Sequence, residues 1–284
     1  MTDNPNHQNS SHQNSRRSRW LSDLRLALML LTRLPAGKSA SPEDATVARA
    51  AWIFPVIGLL VGAAGGGVFM LASSLGLGMA SAALLAMGSQ VLLTGALHED
   101  GLADTADGFG GGRSRERKLE IMRDSRIGTY GVVALVLVLS LRFTALQDIA
   151  SNLLSISDEL DEATGQNSAV IIALIAAGAL SRAAMAVVWY LLPPARTDGL
   201  AAGSGTVSFG SAVAAAVIAA LIAFATLPGL AFVVACAAAA VLAMAVAALA
   251  QWQIRGHTGD VLGTAQQITE VGVLLAIGAA TIAA

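Results

Sequence analysis

Cysteine is almost absent: Cys236 is the only one in 284 residues. One thiol can form neither an intrachain disulfide framework nor a cysteine-based metal site. Its Ala-rich apolar setting reads as that of a small buried hydrophobe. Charge is scarce as well. Asp, Glu, Lys and Arg make up 13% of the chain, against about 25% in an ordinary soluble domain. The net charge of −2 by itself says nothing about partners. An uninterrupted apolar run after the first arginines is also missing. Asp23, Arg25 and Arg33 break up the segment that follows Arg16-Arg17-Ser18-Arg19, so no secretory signal is expected.

What fills the chain instead is apolar. Hydrophobic residues reach 55%, in long runs of Ala, Leu, Val, Ile and Gly that fit an α-helical membrane protein. The expected fold is an all-α polytopic bundle of about seven transmembrane or partly inserted helices, plus an amphipathic N-terminal helix. Residues 1–19 read as a disordered polar tail, with its His7 and His12, and residues 20–284 as a single membrane-embedded catalytic domain. Residues 20–34 are too short and too charged to span comfortably. Pro42-Glu43-Asp44 looks like a helix entry. Apolar stretches follow at 50–75, 79–97, 129–149, 168–192, 209–227 and 229–250. A polar stretch at 251–270 precedes a last apolar segment, 271–284, which spans only with help. Gly58, Gly62, Gly65, Gly66 and Gly67 supply a small-residue face for close helix packing.

Threading these segments alternately puts 1–49, 98–128, 193–208 and 251–270 on one side. Every Lys and Arg lies there except Arg142 and Arg182, which fall inside apolar helices. The opposite connections, near 76–78, 150–167 and 228, carry none. The basic side is therefore expected to be cytoplasmic. The N-terminus is then expected in the cytoplasm and the C-terminus on the far side; in a bacterium the host would be the cytoplasmic (inner) membrane.

The stretch His98-Glu99-Asp100-Gly101-Leu102-Ala103-Asp104-Thr105-Ala106-Asp107-Gly108 lies on the cytoplasmic side. On a helix, Asp100, Asp104 and Asp107 fall within an arc of roughly 60°. Three carboxylates on one face repel each other, and Mg²⁺ prefers hard oxygen ligands of this kind. Arg113, Arg115, Arg117, Lys118, Arg123 and Arg126 follow at once. Acids for metal beside bases for phosphate point to metal-assisted phosphoryl chemistry. Asp124, within Arg123-Asp124-Ser125-Arg126, is expected to return to the acidic cluster as a further metal ligand. Residues 98–128 then form one cytoplasmic metal- and phosphate-binding segment.

Arg142 and Arg182 are costly inside apolar helices and call for a partner or a wet cavity. For Arg142 the options are snorkelling outward, a bond to Asp148 or a functional contact; for Arg182, contact with a substrate or a carboxylate is favoured. Gly256-His257-Thr258-Gly259-Asp260-Val261-Leu262-Gly263 forms a second polar cluster on the same side. Thr258 or Asp260 could cap a helix there. His257 reads either as a general base or as an exposed loop histidine.

At these residues the sequence resembles the cobalamin synthase family, the adenosylcobinamide-GDP ribazoletransferases. The resemblance begins at Thr32-Arg33-Leu34-Pro35 and at Phe54-Pro55 with Gly58. It is strongest from His98 to Gly108 and continues in Ile121-Met122-Arg123-Asp124-Ser125-Arg126-Ile127-Gly128-Thr129-Tyr130-Gly131. Ser181-Arg182 and Thr258 to Gly263 complete it. The polar tail and the 151–167 acidic loop depart from the family pattern.

The resemblance implies an integral membrane enzyme that needs Mg²⁺. Its implied reaction transfers the adenosylcobinamide phosphate of adenosylcobinamide-GDP to α-ribazole or its 5′-phosphate and releases GMP. Asp100, Asp104 and Asp107, with Asp124, are the expected metal ligands. Asp100, Asp104, Asp107 and His98 are the catalytic candidates; an aspartate, His98 or His257 would take the proton. Arg33, Arg123, Arg126, Arg182, Thr258 and Asp260 are the candidates for substrate and phosphate. Glu99 would point about 100° away from Asp100, in a supporting position. Expected partners are the two substrates and the lipid bilayer, with no nucleic acid. A homo-oligomer or association with other late cobalamin-pathway enzymes is left open. The competing readings are another Mg²⁺-dependent membrane transferase, of CDP-alcohol or polyprenyl type, and an ion-coupled transporter.

Overall fold

The computed structural model describes residues 19–37, 46–152, 162–196 and 204–282. The tail up to residue 18, the Pro42-Glu43-Asp44 entry and the acids Asp158, Glu159 and Asp161 lie outside the described residues. Residues 19–31 form α1. A 3₁₀ segment, Val47–Ile53, leads into α2, Phe54–Ser74, with Pro55 in the first turn where its missing N–H costs nothing. Then come α3 (Met79–Thr94), α4 (Leu97–Gly111), α5 (Arg115–Ile121), α6 (Thr129–Asn152) and α7 (Glu162–Leu191). The chain continues through α8 (Phe209–Thr226), α9 (Gly229–Ile254) and α10 (Gly259–Ile282). Among the described residues there is no strand, so the expected all-α bundle is what forms. Among the described residues six helical stretches are long and apolar enough to cross a membrane, or seven if the bent pair α3–α4 is taken as one span.

α7 and α10 form the centre, while much of α6, α8 and α9 faces outward. Leu92, Phe224 and Val241 are exposed apolar side chains, as expected of surfaces that meet lipid. The glycine face of α2 does what its small residues suggest. A β-carbon on Gly58 would come within 2.0 Å of the Gly178 carbonyl oxygen, and one on Gly62 within 2.2 Å of that of Leu174. α2 and α7 therefore touch backbone to backbone.

The amphipathic N-terminal helix packs one face on the bundle. α1 buries Ala27 and Leu31, and Asp23 accepts hydrogen bonds from Arg49 Nε (2.9 Å) and Trp52 Nε1 (3.1 Å). One expectation changes, for the polar stretch 251–270 is mostly helix. α9 runs to Ile254, the chain turns at 255–258, and α10 carries the remaining polar residues into the bundle as one 24-residue helix. The last span is therefore long enough without help.

The third feature is a bend. Gly95 (φ 67°) and Ala96 (φ 57°) both adopt the left-handed conformation. They turn α4 by 87° from α3, so the polar α4 lies across the bundle end instead of prolonging a span. The Arg33 side chain covers the bend: a β-carbon on Gly95 would come within 2.0 Å of Arg33 Nε. The Arg33 N–H donates to the Leu93 carbonyl (2.7 Å).

Candidate active site

α4 and α10 meet through small residues. A β-carbon on Gly101 would approach the Asp260 Cα to 3.0 Å, and one on Gly263 would approach the His98 carbonyl oxygen to 3.2 Å. Thr264 Oγ1 donates to the Gly101 carbonyl (3.2 Å). This crossing sets Asp100 and Asp104 against Asp260. Burial, and then the like charges of Asp100, Asp260 and Asp107, push the Asp104 carboxyl up to about 7, partly offset by Arg196. Thr258 caps α10 by accepting from the Val261 N–H (3.3 Å), and its hydroxyl donates to Asp260 Oδ2 (3.1 Å). Asp260 thus belongs with the acids of α4 at least as much as with a phosphate site.

The other acids have other neighbours. Asp107 is almost buried; its Oδ2 accepts from the Gly128 N–H (2.7 Å) and its Oδ1 from the Gly131 N–H (2.8 Å). Both oxygens cap the N-terminus of α6, where unpaired N–H groups and the helix dipole favour a carboxylate. Asp124 does not return to the cluster. It lies on the surface, bonded to Arg126 through Nη2 (2.6 Å) and Nε, and Arg126 holds its carboxyl down at about 2. Helical periodicity alone could not separate Asp107 from its neighbours, because its partners lie on another helix. Glu99 accepts from Gln267 Nε2 (3.0 Å).

Arg196, which no motif marked, faces Asp104 and Asp260 electrostatically. Its segment is fixed by mutual backbone bonds: Ala195 N–H to the His257 carbonyl (2.8 Å) and His257 N–H to the Pro193 carbonyl (2.9 Å). Arg196, Arg123 and Arg115 line an open groove of about 480 Å³. A neighbouring cavity of about 710 Å³ is lined by Arg113, Arg115, Lys118, Arg255 and Trp252. Arg196 stands alone in sequence, with no other Lys or Arg between Arg182 and Arg255, so no pattern lifts it above loop charge.

His257 is no exposed loop histidine. It is buried against Trp189 (ring centroids 5.9 Å apart), and burial lowers it to about 4. Arg182 makes a carboxylate contact: its Nη1 lies 2.6 Å from Glu270 Oε2, deep in the bundle. Arg142 neither snorkels nor meets Asp148; it pairs with the same Glu270 and donates to Gln90 Oε1 (2.7 Å). Gln266 and Ser181 complete this buried network. His98 is also buried, with no hydrogen-bond partner at either ring nitrogen.

Fold and site together define a class: a polytopic helical membrane protein that gathers carboxylates and guanidiniums at one end of its bundle. The chain belongs to the Cobalamin-5-phosphate synthase family, whose model matches residues 23–278. It is 48% identical over 260 residues to an adenosylcobinamide-GDP ribazoletransferase of Bradyrhizobium diazoefficiens, covering 91% of this chain and 94% of that one. Proteins of the same name from Mesorhizobium japonicum (44% identical; 90% and 92% covered) and Azorhizobium caulinodans (43%; 92% and 97%) are similar to it along nearly their whole length. No solved structure matches the chain.

Proposed function

We propose that this chain carries out the reaction for which its relatives are named. It transfers the adenosylcobinamide phosphate of adenosylcobinamide-GDP to α-ribazole or its 5′-phosphate. The observation that carries this reading is the family match over residues 23–278, joined to the α4–α10 crossing that gathers Asp100, Asp104 and Asp260, with Arg196 acting on Asp104 and Asp260. A ribose hydroxyl attacks the phosphorus bonded to the corrinoid. A new O–P bond forms, the pyrophosphate P–O bond breaks, and GMP leaves with its bridging oxygen. The hydroxyl proton passes to a carboxylate of the cluster. Arg196, with Arg123 and Arg115 along the groove, holds phosphate oxygens as guanidinium forks do.

The residues suit Mg²⁺. Asp100, Asp104 and Asp260 are hard oxygen donors whose mutual repulsion a cation relieves. Among the described residues no three acidic, His or Cys side chains close a site by themselves. Mg²⁺ is commonly bound by one or two carboxylates together with substrate phosphates, which matches an open cluster. When bound, the ion supplies neutralisation of charge on the pyrophosphate. In this reading Asp107 shapes the site through α6, and Asp124 pairs with Arg126 at the surface. The basic end faces the cytoplasm of the inner membrane, where GMP and its precursors are found, and the C-terminus lies on the far side.

The test is reconstitution. Purified protein in lipid nanodiscs, given adenosylcobinamide-GDP, α-ribazole and Mg²⁺, should form GMP and cobalamin in equal amounts. No product in any lipid would sink the reading.

A further inference from the structure

Beside the aspartates lies a small cavity of about 190 Å³. Leu31, Val47, Phe54 and Met185 give it apolar walls, and Asp100 and Asp260 also line it. Two more lining residues are Trp189 and His98, both nine-tenths or more buried. Neither His98 ring nitrogen has a hydrogen-bond partner, nor has Trp189 Nε1. Buried polar groups are normally satisfied, so unpartnered nitrogens on two side chains that line one cavity point to a ligand that supplies a missing partner as the rings adjust to it.

Size and chemistry narrow that ligand. Pockets for drug-sized molecules run to about 300–1,000 Å³. This one holds a ring system and excludes a corrinoid. Aromatic and aliphatic walls suit a flat apolar ring, and N–H donors from Trp189 or His98 suit an unprotonated ring nitrogen. We propose that this cavity binds the benzimidazole base of the α-ribazole acceptor, with a ring N–H of His98 or Trp189 donating to the free ring nitrogen. The base enters first into the apolar wall, which leaves the ribose beside Asp100 and Asp260, where the attacking hydroxyl is needed. His98 is then a base-binding residue. Trp189 is itself held from behind by its packing on His257. The proposal rests on the transferase reading for the identity of the acceptor, and the cavity sets its base specificity.

The test compares α-ribazole with the riboside of unsubstituted benzimidazole, which lacks the two methyl groups. Met185→Phe narrows the cavity. It should raise KM for α-ribazole by about tenfold or more, as lost methyl-sized space does in a fitted pocket. KM should rise less for the smaller riboside and stay unchanged for adenosylcobinamide-GDP. Met185→Ala widens the cavity and should shift preference towards ribosides of larger bases. Direct binding of radiolabelled α-ribazole to nanodisc protein, with Mg²⁺ and GMP present, gives a second readout. If wild type turns over but both variants keep wild-type KM values and base preference, the cavity proposal falls and the transferase reading stands. If wild type binds α-ribazole in a Met185-dependent way without turnover, the cavity proposal stands and the transferase reading falls. If wild type neither binds nor turns over, both fall.

Discussion

Gly101 lies so close to Asp260 that a β-carbon at position 101 would sit 3.0 Å from the Asp260 Cα. The distance between the α4 and α10 carboxylates therefore depends on the absence of a side chain. We predict that Gly101→Leu pushes the helices apart and lowers kcat by at least about 10²-fold, since misplacement by about 1 Å has that effect. GMP release and the yield of folded protein check this; wild-type rates in the variant would show that the crossing does not set the site.

Asp104→Asn should separate chemistry from folding. The half-buried carboxyl makes no capping bond in the structure, so the amide should leave thermal stability intact or raised. Turnover is expected to drop by about 10²–10⁴-fold, the range for losing a proton-transfer or charge-stabilising group. Near-normal activity would remove Asp104 from the site.

Asp107→Asn should do the opposite. The amide can accept only through one atom, and so one of the two α6 N–H bonds is lost. A destabilisation of about 1–2 kcal/mol is expected, seen as a lowered Tm with part of the activity kept. Complete loss of turnover at unchanged Tm would instead make Asp107 a direct participant.

Glu270→Gln tests the buried network. The change removes the carboxylate that Arg142 and Arg182 share. Breaking a buried pair on one side typically costs about 3–5 kcal/mol. The variant should unfold at markedly lower temperature in detergent, and an unchanged Tm would argue against the pairing.

The pH dependence follows from Asp104. Its folded value, about 7, lies above the ordinary carboxylate value of 3.8. The folded state thus holds this proton more tightly than the unfolded state, and its contribution to stability declines as pH rises from about 4 to 7. Without divalent metal, the protein should be less stable at pH 8 than at pH 6 as far as this group decides. Mg²⁺ competes with the proton, so its stabilising shift in Tm should be larger at pH 8 than at pH 6. An equal shift at both would place the ion away from Asp104.

Much of this was legible in the sequence because membrane helices obey simple rules. Apolar runs, the one-sided distribution of Lys and Arg, and the glycines of α2 each have a direct physical reading. Some features depended on contacts between distant segments. Polar residues at 259–270 mask the first half of α10, which carries Asp260 near its start and buries Glu270. Asp107 shares a face with Asp100 and Asp104 by periodicity, yet its partners are N–H groups of α6. Arg196 comes to the aspartates by position alone, through backbone pairing of its segment with the turn at His257.

The bend at Gly95–Ala96 also has a consequence for the surrounding lipid. α3 ends after 16 residues, a rise of about 24 Å, short of the ~30 Å hydrocarbon core. Leu84, Leu85 and Leu92 face outward along it. A short apolar face is met by local bilayer thinning, snorkelling of flanking side chains or oligomerisation, each at a small cost. α3 is therefore where a thicker host membrane is expected to be felt first.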